Sequence, residues 1–180
     1  MKIMVMCGSA TKYSNTRGLI RWIEKALHEK GVEVLKFDAG QHLLPIYNGD
    51  DEQNELPEVK RLRVQAEQAD GFFICTPEYH SGMSGALKNA MDFLGSRHFR
   101  QKPATLSAVA GGGKGGINAL NNLRTVVRGV YGLTLPGQFV ADPDHFDGKN
   151  ELVSYEAKER LSLIVDELVA LTQRLADGKA

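Results

Sequence analysis

The sequence predicts an α/β fold: a three-layer sandwich with a five-stranded parallel sheet in the order 2-1-3-4-5 between two layers of helices. Three observations lead there. Short apolar runs alternate with segments of helical spacing along all 180 residues. Repeated strand-helix units of this kind join by right-handed crossovers into one parallel sheet. The turns richest in glycine and hydroxyl residues follow the first, third and fourth runs, which this order makes neighbours, with a switch point between the first and third.

The first strand is Ile3 to Cys7, and Leu19, Ile20, Ile23, Ala26 and Leu27 then recur at helical spacing before Gly31, a natural stop. Val32 to Phe37 is the second strand. A long polar stretch through Pro45 and Asn48-Gly49-Asp50 leads to Pro57, which suits the first turn of a helix carrying Val59, Leu62, Ala66 and Ala69. The third strand, Phe72 to Cys75, ends in a polar turn, Thr76 to Ser81, before a helix with Ala86, Leu87, Ala90, Met91 and Leu94. The fourth strand, Ala104 to Ala110, meets a glycine-rich turn, and Leu120, Leu123, Val127 and Val130 mark the next helix. The fifth strand lies within Leu133 to Val140, where Pro136 lacks an amide donor and suits a sheet edge. An amphipathic helix follows Glu151, with Leu161, Ile164, Val165, Leu168 and Leu171 on one face. This is the flavodoxin-like arrangement, a single domain over 1–180.

Composition narrows the function. Lys+Arg of 22 against Asp+Glu of 22 leaves no basic excess for a phosphate backbone, so nucleic acid is not an expected partner. No apolar stretch approaches the roughly 18 residues of a membrane helix, and no signal peptide is visible, so a cytoplasmic protein without a membrane partner is expected. Cys7 and Cys75 end apolar runs and read as buried thiols.

Three loops carry the candidate chemistry. Gly8 to Thr16 joins a strand to a helix, where free amides and the helix dipole favour an anion; Ser9, Thr11, Ser14 and Thr16 add hydroxyls. The same residues also make an ordinary helix cap. In Thr76 to Gly82, Pro77 restrains Thr76 toward extended backbone, so backbone groups can meet the edge of a flat polar ligand beside Tyr79 or His80; solvated loop residues are the plainer reading. Gly111 to Gly116 offers close backbone approach to a planar ligand, or a simple turn. It matches G-x-G-x-x-G formally, but no acidic residue follows at the expected distance, and Gly115 after Lys114 breaks a Walker loop. Tyr13 stands where a cysteine phosphatase loop starting at Cys7 needs Arg. The basic segment Ser96 to Lys102 fits either a nicotinamide-nucleotide phosphate or a solvated face.

Thr76-Pro77-Glu78-Tyr79-His80, a short loop and Gly85-Ala86-Leu87-Lys88-Asn89-Ala90 together resemble the NADPH-dependent FMN reductase family, and Gly111 to Tyr131, beginning GGGKGGINALNN, resembles its azobenzene reductase branch. The resemblance implies FMN as cofactor and NADPH as co-substrate. It implies that Ser9, Thr11, Ser14, Asn15 and Thr16 line the phosphate site, that Pro77, Glu78, Tyr79 and His80 border the isoalloxazine edge, and that Gly111, Gly112 and Gly113 approach from the other side. Many relatives carry Arg at the position of Thr11 and Asn at that of His80. The implied activity is two-electron transfer from NAD(P)H to small acceptors, azo compounds or quinones, in a ping-pong cycle with no dedicated catalytic side chain, because the flavin carries the redox chemistry. Loop backbone donors, with Lys114, are candidates for meeting charge on the reduced ring. A homodimer or homotetramer through Met83 to Leu94 and Ile117 to Tyr131 is also implied. The alternatives are a flavodoxin-like electron carrier, which is usually acidic where this chain is balanced, and a phosphatase.

Overall fold

The computed structural model describes residues 1–111 and 115–178. In chain order the elements are β1 (Lys2–Cys7), α1 (Asn15–Glu29), β2 (Glu33–Asp38), α2 (Pro57–Gln68), β3 (Gly71–Tyr79), β4 (Gly82–Met83), α3 (Gly85–Asp92), α4 (Ser96–Phe99), β5 (Pro103–Val109), α5 (Ile117–Gly129), β6 (Leu133–Ala141) and α6 (Tyr155–Asp177). The sheet order is β2-β1-β3-β5-β6, with parallel pairing throughout that path and β4 attached antiparallel to β3.

The parallel, flavodoxin-like sheet agrees with expectation, but the strand count does not: among the described residues there are six strands, not five, in the order 2-1-3-5-6 with the fourth off the path. The turn expected at Thr76 to Ser81 is mostly strand. Pro77 keeps Thr76 extended, β3 pairs with β5 as far as Pro77 and Val109, and Glu78 and Tyr79 then pair back with Met83 and Gly82. His80 and Ser81, at φ of 50° and 61°, close the hairpin as its two left-handed turn residues. Apolar periodicity ends at Cys75, so it hides this polar extension.

Both faces of the sheet are covered, which is why its strands read as nearly continuous apolar runs. Met4, Met6, Phe72, Ile74 and Leu106 pack with Val59 and Leu62 of α2, Leu87 of α3 and Leu120 of α5. Ile3, Val5, Phe73 and Phe139 pack on the other side with Leu19 and Ile23 of α1 and Leu161 and Val165 of α6. On the edge strand β6, the pairing slips between Ala104–Thr134 and Leu106–Gln138, and Pro136 sits inside that irregularity, where its missing N–H costs no ladder bond. The alternation thus puts the ends of β1, β3 and β5 side by side, and the three candidate loops leave from one sheet edge.

Candidate functional site

The first loop begins at Gly8, whose amide donates to the Cys75 carbonyl at 2.7 Å. A Cβ here would lie 2.9 Å from that of Leu87 and 3.0 Å from the Cys75 oxygen, so only glycine lets the loop leave so close to β3. Ser9 follows at 1% exposure, and its hydroxyl has no hydrogen-bond partner. Ser14 caps α1, its Oγ accepting from the Arg17 amide at 3.2 Å. Asn15 and Thr16 open the helix, half-buried and buried respectively. Thr11 lies outside, its Oγ1 3.4 Å from the hydroxyl of Tyr79.

The second loop is the β3–β4 hairpin. Thr76 and Pro77 are buried, Glu78 is half-buried, and Tyr79 and His80 are exposed. The Glu78 side chain points along the sheet edge, and its Oε2 accepts the Ala119 amide at 2.9 Å in the first turn of α5. Of the third loop, Gly111 is exposed at the end of β5. Gly112, Gly113 and Lys114, singled out from the sequence, lie outside the described residues. At the far end Gly116 takes φ +92°, and a Cβ there would stand 2.5 Å from Val140 Cγ1; this turn requires glycine.

The edge therefore combines a helix N-terminus with a buried, unpaired hydroxyl, a short polar hairpin and a glycine turn. The sequence model of the family described as NADPH-dependent FMN reductase matches residues 1–146. The chain belongs to the NADPH-dependent FMN reductase family. An NADPH azoreductase of Bacillus sp. (strain OY1-2) is 43% identical over 171 residues, covering 94% of this chain and 92% of that one. An FMN-dependent NADPH-azoreductase of Staphylococcus aureus is 32% identical over 182 residues, covering 94% of each. Among solved structures, a flavoenzyme NAD(P)H:(acceptor) oxidoreductase from Paracoccus denitrificans superposes with a TM-score of 0.82 at 24% identity, covering 96% of this chain and 97% of that one, and shares the fold.

In this member of the FMN reductase family, three residues not singled out from the sequence organise the edge. The guanidinium of Arg17 bonds the carbonyls of Ser9, Thr11 and Lys12 and both carboxylate oxygens of Asp38. Burial works against the Asp38 charge, but the bonds from Arg17 and the Gly40 amide outweigh it and hold the carboxyl below its usual range. Ser84 caps α3 through the Leu87 amide at 3.1 Å, donates to the Gly8 carbonyl at 2.5 Å, and gives its own amide to Thr76 Oγ1 at 3.0 Å. One signal for Arg17 was visible: a cation in the first turn of a helix opposes the dipole and calls for a specific acidic partner. Ser84 was visible only as an ordinary capping serine.

Cys7 is buried beneath the loop, and burial pushes its thiol up to about 11, opposite to the depressed value that a phosphatase cysteine needs. The basic segment is not a uniform solvated face either: His98 and Phe99 are buried, and Lys102 Nζ bonds the Ala66 and Glu67 carbonyls at the end of α2.

Proposed function

We propose that the protein is an FMN-dependent NADPH oxidoreductase that passes two electrons to small acceptors, azo compounds foremost and quinones besides, with residues 1–180 acting as one FMN-binding domain. The observation that carries this reading is the buried, unpartnered Ser9 hydroxyl in the loop that leads from β1 into α1, in a chain of the FMN reductase family. Leaving such a group unpaired costs about 1–3 kcal/mol, and a phosphate oxygen is the acceptor it lacks. The same loop ends at the α1 N-terminus, which favours an anion.

Ser9, Thr11, Ser14, Asn15 and Thr16 hold the phosphate in this reading. Ser14 keeps its O–H as a donor after its oxygen has accepted from Arg17. Pro77, Glu78, Tyr79 and His80 border the ring edge, and Glu78 Oε2 also accepts the Ala119 amide, which ties this hairpin to α5. Gly111 takes the opposite side. FMN, when bound, supplies the two-electron exchange between nicotinamide and acceptor. The chain supplies position: the Ser84 bonds fix the first loop against β3, and the Thr11–Tyr79 contact spans the mouth between the two loops. A flat group on an open sheet edge offers one stacking surface, so donor and acceptor occupy it in turn.

The same reading has the chain assemble as a homodimer or homotetramer through residues 83–94 and 117–131. In support, a groove of about 510 Å³ runs between Met83 and Lys88 on one side and Asn122 and Val126 on the other, and Ile117 and Tyr131, at the two ends of the second segment, are exposed. Among the described residues no helix is long and apolar enough to cross a membrane. The free thiols of Cys7 and Cys75 suit a reducing compartment, and the cytoplasm is the proposed location. Initial rates over a grid of NADPH and azo-dye concentrations test the cycle: parallel double-reciprocal lines are expected, and intersecting lines contradict it. Light scattering tests the assembly, a mass of one chain contradicting it.

A further inference from the structure

We propose that Arg17 is a positioning residue that turns the peptide planes of residues 9–13 outward, and that this brace, rather than net positive charge, makes the loop select FMN over riboflavin. The inference rests on the phosphate reading of the loop given above. All five N–H donors of the guanidinium are committed. Nη1 bonds the Thr11 and Lys12 carbonyls at 2.7 Å each, Nη2 bonds the Ser9 carbonyl at 3.1 Å and Asp38 Oδ1 at 2.9 Å, and Nε bonds Asp38 Oδ2 at 2.7 Å. The Asp38 side chain is 0% exposed and that of Arg17 12%, so the carboxylate is buried against the guanidinium and the two charges offset each other. No donor is left for a ligand.

The consequence for the loop follows from peptide geometry. In a planar trans unit the C=O and the following N–H point in opposite directions. Drawing the carbonyls of Ser9, Thr11 and Lys12 onto one guanidinium therefore turns the amides of Ala10, Lys12 and Tyr13 to the other side of the chain. Among the described residues none of these three amides donates to a backbone carbonyl. The Ser9 hydroxyl in the same segment is buried and unpartnered. Ordinary helix capping does not need this arrangement, since Ser14 already caps α1. Arg17 instead lies against Gly40, where a Cβ would come within 2.6 Å of Nη2, so the brace is packed from behind as well as bonded. Lysine, a single flexible point donor, cannot span three carbonyls and a carboxylate.

The test measures dissociation constants of FMN and riboflavin for the full chain by quenching of flavin fluorescence. Wild type is expected to favour FMN. R17Q and the milder R17K are each expected to lose roughly tenfold to hundredfold in FMN affinity, while riboflavin affinity moves less than about threefold. S14D, which opposes a phosphate while leaving the Arg17 side chain in place, separates two kinds of failure. If wild type lacks a preference, or S14D keeps it, the phosphate reading falls and this inference with it. If S14D abolishes the preference but R17K retains it, or R17K loses both flavins equally, the phosphate reading stands and Arg17 is not the brace. Should R17Q fail to fold, R17K carries the test alone, because it keeps both the charge and the apolar stem.

Discussion

The carboxylate of Glu78 accepts the backbone N–H of Ala119 at 2.9 Å, so the end of β3 is tied directly to the first turn of α5 across the glycine loop between β5 and α5. A negative charge at a helix N-terminus is favourable twice over, through the hydrogen bond and through the dipole. Glu78→Ala is expected to lower stability by about 1–2 kcal/mol in urea titration, and Glu78→Gln, which keeps an acceptor without the charge, by about half as much. Equal losses in the two variants contradict a charge contribution.

Ser84 joins the first two loops. Its hydroxyl reaches the Gly8 carbonyl and the Leu87 amide at 2% residue exposure, so Ser84→Ala strands two buried polar groups. A loss of about 2–4 kcal/mol is expected from denaturant midpoints, with weaker flavin retention following from a loosened Gly8. A change under about 0.5 kcal/mol contradicts the bonding described.

The hairpin turn asks two L-residues, His80 and Ser81, to adopt left-handed backbone. Ser81→Gly is expected to raise stability by about 0.5–1 kcal/mol, read as a higher Tm in calorimetry. A lower Tm contradicts this assignment of strain.

His98 supplies a pH dependence. Burial, then the charge of Arg97, pulls its pKa down from 6.5 to about 4, while the contact with Gly95 works the other way. Below pH 6.5 the unfolded chain takes up the proton and the folded chain does not. The stability contribution is therefore complete above that pH and is lost progressively down to about pH 4. The full effect is on the order of 3 kcal/mol, and His98→Gln is expected to flatten that part of the pH–stability profile. An unchanged slope contradicts the assignment.

The sheet was legible because its strands are buried on both faces, and the convergence of the three loops because the strand order makes β1, β3 and β5 neighbours. Pro136 announced an edge strand for a sound reason, the missing donor. What stayed hidden depends on partners distant in sequence. Gly82–Met83 is too short to show a pattern and is strand only because Glu78 and Tyr79 lie opposite. Glu78 finds its partner 41 residues away, and Arg17 finds Asp38 21 residues away on the next strand. Lys102 looked like a solvated cation but lies 9% exposed at the end of α2, where its ammonium meets two carbonyls.

A redox titration of the purified, FMN-reconstituted chain without oxygen tests the proposed electron transfer most directly. After gel filtration the protein should retain about one FMN per chain, lose its yellow absorbance when NADPH is added, and regain it on addition of an equivalent of azo dye as the dye itself is bleached. Protein that emerges without flavin, or whose bound flavin keeps its colour in excess NADPH, contradicts the account.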